Sequence, residues 1–113
     1  MDRLDEHQEV VTTTAGRSRD WLRKQGSLAE VVEHRRGKWR IDLMGLWDVL
    51  AVDRQGVIVI QSYLDTKANR LSHAARFTAA GSTLQYLRAS KVRMQEHRWK
   101  KRRGRWGVEV VPL

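Results

Sequence analysis

Two polar side chains in the middle of the sequence, Asp48 and Gln61, interrupt stretches of apolar residues. Asp48 lies between Trp47 and Val49-Leu50-Ala51, where an acidic side chain is poor strand material. Gln61 directly follows the run Val57-Ile58-Val59-Ile60. A carboxylate and an amide carbonyl are oxygen ligands that suit a hard divalent cation such as Mg²⁺ or Mn²⁺. Such an ion beside a phosphate activates water and neutralises charge on the leaving oxygen.

The elements around these residues predict that the two side chains lie close together. Four consecutive β-branched residues without alternation indicate a strand buried on both faces, in the middle of a sheet. The sequence Asp53-Arg54-Gln55-Gly56 predicts a tight turn that joins this strand to the preceding one, Leu46 to Val52. Pairing of the two strands would bring Asp48 and Gln61 to the same end of the sheet. The alternative is that Asp48 satisfies backbone amides in a turn and Gln61 merely ends its strand.

The remaining elements complete a mixed α/β domain. A helix is expected from Thr14 to Gln25, with Thr12, Thr13 and Thr14 as N-cap candidates and Gly26 just past its end. We expect the other elements in this order: strands at 27–33 and 40–44, a kink at Gly45, a helix at 66–77, a helix at 83–88 begun by a Ser82–Gln85 capping box, and a hairpin of 91–100 and 105–111 around a turn at 101–104. The acidic first nine residues are expected to be frayed or helical, with fraying extending to residue 12.

Composition limits the classes of protein that the chain represents. A length of 113 residues supports one domain, spanning 1–113, with one core. The absence of cysteine excludes disulfide bonds, cysteine-ligated zinc and thiol catalysis. No apolar run approaches the roughly 20 residues that span a bilayer, and the N-terminus has no signal-peptide pattern. We therefore expect a cytoplasmic protein without a membrane partner.

The positive charge is concentrated near the C-terminus. The formal net charge is +9, and nine of the 22 lysines and arginines lie between Arg88 and Arg105, where Glu96 is the only acidic residue. Such a cluster favours a polyanionic partner, most often nucleic acid. The residues predicted to bind it in this segment, called the basic hairpin below, are Arg98, Lys100, Lys101, Arg102, Arg103 and Arg105. Trp99 and Trp106 are read mainly as core anchors, with stacking on unpaired bases as the alternative.

The residues from Asp42 to Val52 and from Val57 to Tyr63 resemble the PD-(D/E)XK nuclease superfamily. The pattern is closest to small phage and prophage proteins related to Holliday-junction resolvases and VRR-NUC domains. This resemblance implies a restriction-endonuclease-like αβββαβ core and a metal-dependent endonuclease that hydrolyses DNA phosphodiester bonds, including branched or recombination intermediates. It also implies a phage or prophage origin. RNA remains an alternative substrate, and a homodimer is one expectation because cutting both strands needs two sites.

Carried over by position, the resemblance makes Asp48 the metal-binding aspartate and Gln61 the counterpart of the acidic residue in the (D/E)-x-K element. Tyr63 then stands where that element has its lysine. Lys67, four residues further on, is the candidate for a migrated lysine. Glu33 is the preferred additional acid, with Glu30 as its alternative. The catalytic set is therefore Asp48, Gln61, Lys67 and Glu33, of which the two acids and Gln61 would hold Mg²⁺ or Mn²⁺.

Two departures from the pattern leave alternatives open. Gln61 is neutral and Tyr63 cannot supply a cation. The chain is therefore either an active nuclease or a catalytically inactive nuclease-fold protein that binds nucleic acid through its basic hairpin. A phage structural or host-interaction protein is the third alternative. Arg70 is preferred to Arg76 as a phosphate ligand because it lies nearer the proposed site. Asp42 is interpreted as an ion-pair partner of Arg40 or Arg36, with a role in the site as the alternative. His73 is interpreted as a surface or packing residue, and His34 and His97 could contact phosphate.

Overall fold

The computed structural model describes residues 13–113, so the expectations for the first twelve residues, Thr12 included, lie outside it. Three helices and seven strands follow one another along this part of the chain. In chain order they are α1 (Thr14–Lys24), β1 (Leu28–Val31), β2 (His34–Arg36), β3 (Trp39–Ile41), β4 (Val49–Asp53), β5 (Gly56–Leu64), α2 (Lys67–Ala79), α3 (Gly81–Ala89), β6 (Arg93–Arg102) and β7 (Arg105–Pro112).

Five of the strands form one mixed sheet in the order β1-β4-β5-β6-β7. The strands β1, β4 and β5 are antiparallel neighbours, β5 and β6 are parallel, and β6 and β7 are antiparallel. The parallel step requires a crossover, which α2 and α3 supply. β5 is the central strand, and its residues Ile58 to Tyr63 are all buried, which confirms the prediction made from its β-branched run.

Helices cover both faces of the sheet, as the α/β class predicts. On the face that we call the α1 face, Val49, Ala51, Ile58 and Ile60 pack with Ala15 and Leu22 of α1. On the opposite face, called the α2 face, Val59 and Met94 pack with Trp47 and Phe77. Because side chains alternate along a strand, consecutive residues of β4, β5 and β6 point to different faces. This alternation decides which polar side chains meet.

The segment between β1 and β4 differs from the expectation of two strands separated by a kink. β2 and β3 form a separate two-stranded sheet. Residues Leu43 to Trp47 then form a tight reversal, in which Met44 and Gly45 have φ angles of 57° and 71° and the Leu43 N–H donates to the Trp47 carbonyl at 2.8 Å. A positive φ at Gly45 carries no steric cost, so this turn replaces the predicted strand.

Two predicted boundaries nearer the C-terminus also differ. α3 begins at Gly81 after Ala80 and has no side-chain cap, so the expected capping box of Ser82 and Gln85 is not formed. The strand β6 continues to Arg102, and only Arg103 and Gly104 form the turn to β7. Both turn residues have positive φ angles, 51° and 78°, which is the two-residue turn that matches the twist of paired strands.

Candidate functional site

A cleft of about 390 Å³ opens at the end of the sheet where β4 begins and β5 ends. The turn before β4, the end of β5, the first residues of α1 and one side of α2 surround it. Its lining is predominantly polar and consists of Thr13, Thr14, Glu33, Asp42, Asp48, Gln61, Ser62, Tyr63, Leu64, Asn69, His73 and Arg76. Three of the four residues predicted as catalytic, Asp48, Gln61 and Glu33, therefore lie in one cleft.

Asp48 and Gln61 meet because of the register of β4 and β5. The ladder pairs Val49 with Ile60, and the Asp48 N–H donates to the Ile60 carbonyl at 3.0 Å. The ladder ends at this pair, and the bond from Asp48 to Ile60 brings Asp48 to the end of β5 beside Gln61, where both residues line the cleft. Ile60 points to the α1 face, so the alternation of side chains along β5 places Gln61 on the α2 face. Asp48 precedes β4, and its carboxylate reaches the backbone N–H of Ser62, the residue after Gln61.

The Asp48 carboxylate is buried and carries an unusual proton affinity. The side chain is 5% exposed, and its only hydrogen-bond donor among the described residues is the Ser62 backbone N–H, at 3.1 and 3.3 Å from the two carboxylate oxygens. The pKa of Asp48 is raised to about 8, chiefly by burial; the Ser62 hydrogen bond lowers it, and the nearby charges of Glu33 and Asp42 raise it. A group that is costly to ionise in the free protein gains most from a bound cation.

Gln61 has a buried oxygen without a partner. The residue is 4% exposed, and its Oε1 makes no hydrogen bond within residues 13–113. An unsatisfied buried carbonyl costs about 1–3 kcal/mol, and native structures rarely keep one without a reason. A cation in the cleft would supply the missing interaction, because an amide oxygen is a suitable ligand for Mg²⁺.

The structure separates the two candidates for the additional acid. Glu30 lies within β1 and forms an exposed ion pair with Arg23 at 2.9 Å. Glu33 follows the end of β1, lines the cleft and acts on Asp48 electrostatically. Asp42 lines the cleft as well. Its ion pair is with Arg76 at 3.3 Å, where the sequence suggested Arg40 or Arg36.

Tyr63 lies next to Asp48 and Gln61 on the α2 face, and its hydroxyl is engaged. It donates to Glu96 Oε1 at 3.0 Å and accepts from Arg98 Nε at 3.0 Å. Its ring stacks on His73, with centroids 4.1 Å apart and planes inclined by 12°. Arg98 also donates to Glu96 at 2.8 Å, so this arginine is committed to an ion pair beside the cleft.

One side of α2 supplies the helical wall of the cleft. Asn69, His73 and Arg76 are spaced four and three residues apart and therefore share a face. Burial and the charge of Arg76 lower the pKa of His73, which keeps its imidazole neutral at pH 7. The i, i+4, i+7 spacing of these three residues is visible in the sequence and predicts that they share one face of the helix.

Lys67 and Arg70 are not among the residues that line the cleft. Lys67 is the first residue of α2 and is exposed. It precedes Asn69 by two residues, a rotation of about 200° around the helix, which directs it away from the cleft. Arg70 pairs with Asp65 at 3.1 Å instead. Arg76 is the cation that the structure brings to the cleft, the reverse of the preference derived from the sequence.

A buried polar cluster supports the cleft from the α1 face. The Ser18 hydroxyl contacts the Ser62 hydroxyl at 2.9 Å, His97 Nδ1 at 2.8 Å and Trp99 Nε1 at 2.9 Å. His97 is fully buried, and burial lowers its pKa to about 4. The expectation that His97 might contact phosphate is therefore wrong, because its ring is neutral and inside the protein.

The two tryptophans of the basic hairpin differ in their surroundings. Trp99 is 5% exposed and is a core anchor. Trp106 is 36% exposed, and the Arg17 guanidinium lies over its ring at 4.1 Å from the centroid. Of the predicted nucleic-acid ligands in this segment, Lys100, Lys101, Arg102, Arg103 and Arg105 are exposed.

Any metal ion in the cleft would be bound by carboxylate oxygens together with an amide oxygen. In the part of the chain that the structure describes, no three His, Cys, Asp or Glu side chains converge as a metal site. Two carboxylates with an amide oxygen are a different set, and Mg²⁺ usually keeps several waters and takes only one or two carboxylates. The buried, unpartnered Gln61 oxygen and the desolvated Asp48 carboxylate therefore fit such an ion.

Comparison with known proteins gives no family for this chain. It matches no protein-family model, no curated protein and no solved structure. Within residues 13–113, no helix has the length and apolarity to span a membrane.

Proposed function

We propose that the chain is a metal-dependent endonuclease that hydrolyses DNA phosphodiester bonds in the cleft between β5 and α2. The observation that carries this proposal is the buried, unpartnered Oε1 of Gln61 in the same cleft as the desolvated carboxylate of Asp48. Both face a polar cleft that also contains Glu33 and Asp42. Asp48, Gln61 and Glu33 would hold Mg²⁺ or Mn²⁺, which would activate water and neutralise charge at the phosphate.

Residues around this donor set have distinct roles in the proposal. The Ser62 N–H fixes the direction of the Asp48 carboxylate. Arg76, on the opposite wall, contributes a positive charge for a phosphate oxygen while Asp42 and the Gly45 carbonyl hold its guanidinium at 3.3 and 2.6 Å. Asn69 adds an uncharged amide to the same wall. The cleft thus combines anionic oxygens for a metal with a cation for the substrate.

The order of the elements is compatible with the restriction-endonuclease-like αβββαβ core that the resemblance implies, and this supports the proposal. The helix α1 precedes three antiparallel strands, β1, β4 and β5. A helical crossover then leads to β6, which is parallel to β5. Asp48 immediately precedes the second of these strands and Gln61 lies in the third, near the positions where the resemblance expects the metal ligands.

A specific observation favours a second candidate function, that of a nuclease-fold protein that binds nucleic acid without cutting it. The position expected to hold lysine is Tyr63, whose hydroxyl is already bonded to Glu96 and Arg98. Lys67 does not line the cleft. This candidate requires the basic hairpin but not the carboxylates.

Incubation of the purified protein with plasmid, linear duplex, four-way-junction DNA and single-stranded RNA separates the two functions. Each substrate is tested in Mg²⁺, in Mn²⁺ and in EDTA, with Asp48→Asn and Glu33→Gln beside the wild type. Glu30→Gln is the matched control because Glu30 lies three residues before Glu33 but pairs with Arg23 and does not line the cleft.

The nuclease proposal expects metal-dependent cleavage by the wild type and by Glu30→Gln, with losses of at least about a hundredfold in Asp48→Asn. Wild-type activity no greater than that of Asp48→Asn, on every substrate and with both metals, would refute it. Salt-dependent binding that persists in that case would establish the second function. The molar mass in solution, with and without DNA, tests whether two copies act together.

A further inference from the structure

The register of the basic hairpin divides its positive charges between the two faces of the sheet. Along β6, Glu96, Arg98, Lys100 and Arg102 alternate with His97, Trp99 and Lys101. Glu96 bonds to Tyr63 on the α2 face, whereas Trp99 bonds to Ser18 on the α1 face. Lys100 and Arg102 therefore lie on the same face as the cleft, and Lys101 lies on the other.

A groove of about 410 Å³ follows the α2 face of the hairpin. Its cations are Arg98, Lys100, Arg102 and Arg105, and its carboxylates are Asp65 and Glu109. Both carboxylates are already paired, Asp65 with Arg70 at 3.1 Å and Glu109 with Arg98 at 3.8 Å. Within residues 13–113, Lys100, Arg102 and Arg105 form no ion pair, so their charge is available to a ligand.

These three cations are arranged as a short line rather than a cluster. Lys100 and Arg102 are two residues apart on one strand, about 7 Å, and Arg105 is the cross-strand partner of Arg102. The spacing along β6 is comparable to that between successive phosphates of one nucleic-acid strand. A line of unpaired cations at this spacing fits a sugar–phosphate backbone better than a single anion.

The line continues the cleft. Gln61 is in register with Glu96, and the bonds among Tyr63, Glu96 and Arg98 connect this position to the start of the groove. From the level of Gln61 to Arg102 is six residues along β6, or about 20 Å. At the spacing of about 7 Å per phosphate, a strand whose phosphate lies in the cleft would reach these cations about three nucleotides further on.

Charges on the opposite face have a different environment. Lys101 is the cross-strand partner of Trp106, and its Nζ lies 5.8 Å from the centroid of that ring. Arg17 of α1 covers the same ring at 4.1 Å. These contacts attach the hairpin to α1, so Lys101 belongs to the support of the hairpin.

We infer that Lys100, Arg102 and Arg105 form a phosphate track that binds one nucleic-acid strand on the α2 face and leads it to the cleft. The inference that the bound nucleic-acid strand continues into the cleft rests on the proposed function. Binding to the track itself requires neither metal nor cleavage. The basic hairpin thus acts through one face, and its total charge is less important than the register of β6 and β7.

The test compares two double variants with the same net charge, Lys100→Gln/Arg102→Gln and Lys101→Gln/Arg103→Gln. Binding of fluorescein-labelled DNA, single-stranded and duplex, is measured by anisotropy in EDTA from 50 to 300 mM salt. We expect the first variant to lose at least about tenfold in affinity at 100 mM salt and about 1.5 units of the slope of log K against log salt. The second variant should keep the wild-type slope.

Equal losses in both variants would overturn the track, because they would show that charge alone matters. The absence of any loss in the first variant would overturn it as well. Circular dichroism and thermal melts of both variants establish that they remain folded. Binding in EDTA is independent of metal-dependent cleavage. If only the first variant loses affinity, and the wild type cuts no substrate in Mg²⁺ or Mn²⁺, the track is upheld and the nuclease is refuted.

Discussion

The backbone N–H of Ser62 donates to both carboxylate oxygens of Asp48, at 3.1 and 3.3 Å, while the Ser62 hydroxyl contacts Ser18 at 2.9 Å on the opposite face of the sheet. One residue of β5 therefore connects the cleft to the buried polar cluster under α1. The position of the Asp48 carboxylate therefore depends on the packing of Ser62 beneath α1.

Removal of the Ser18 hydroxyl should destabilise the protein. Ser18→Ala leaves His97 Nδ1, Trp99 Nε1 and the Ser62 hydroxyl without their common partner, so we expect a loss of about 2–3 kcal/mol in the free energy of unfolding. Urea denaturation measures it. The exposed Ser82→Ala serves as the control, and a Ser18→Ala loss as small as that of the control would contradict the role of the cluster.

The pKa of Asp48 predicts an unusual dependence of stability on pH. A carboxyl whose pKa rises from 3.8 to about 8 on folding is protonated in the folded protein and ionised in the unfolded chain between those values. Its contribution to stability is therefore lost as pH rises from about 4 to about 8. Asp48→Asn should be more stable than the wild type by about 2 kcal/mol or more at pH 8, and the difference should disappear near pH 4.

Urea denaturation at pH 4.5 and pH 8 in EDTA measures this difference. Glu30→Gln, at an exposed ion-paired carboxylate, should show no comparable gain at pH 8. An Asp48→Asn protein less stable than the wild type at pH 8 would show that the carboxylate is ionised in the free protein.

A divalent cation should stabilise the folded chain through Gln61. Mn²⁺ at about a hundredfold excess over its dissociation constant should raise the melting temperature of the wild type by about 5 °C or more. Gln61→Leu, which removes the unpartnered Oε1, should weaken this response, and Gln61→Glu should strengthen it by adding a charged ligand.

Gln61→Glu should also be less stable than the wild type in EDTA, because its new carboxylate is buried beside Asp48. Scanning calorimetry with and without Mn²⁺ records both effects. An identical Mn²⁺ response of the wild type, Gln61→Leu and Asp48→Asn would exclude a metal from the cleft.

Arg76 should matter for cleavage more than the other arginine of α2. Arg76→Gln removes the cation that lines the cleft and should lower the cleavage rate by about a hundredfold. Arg70→Gln is the matched control because Arg70 lies on the same helix and pairs with Asp65. Single-turnover kinetics at saturating protein compare them, and equal losses would remove Arg76 from the substrate site.

His97 should make the protein sensitive to acid. Burial lowers its pKa from 6.5 to about 4, so the neutral form is favoured in the folded state. Its stabilising contribution is complete above pH 6.5 and is lost as pH falls towards 4, by about 3 kcal/mol. In His97→Gln, the melting temperature should change less between pH 4 and pH 6.5 than it does in the wild type. An equal change in both proteins would contradict a buried neutral imidazole.

Local sequence was sufficient for several elements. The β-branched run from Val57 to Ile60 predicted the central strand because only a strand covered on both faces tolerates four such residues in succession. Helix α1 ends just before Gly26, whose φ is 94°, as its sequence indicates. In contrast, Leu43 to Trp47 has strand-like composition, and the tight turn there depends on positive φ angles at Met44 and Gly45 that the apolar pattern does not reveal.

By itself, the sequence determined the α/β class, the pairing of the two strands next to Asp48 and Gln61, and the concentration of charge in the basic hairpin. Periodicity, turn residues and composition are local properties, and they were enough for these features. The tertiary structure decided that Glu33 and Arg76, rather than Glu30 and Arg70, line the cleft. It also decided that Lys100 and Arg102 share a face with the cleft while His97 is buried. These outcomes depend on helix rotation and strand register across the sheet, where a shift of one residue moves a side chain to the opposite face.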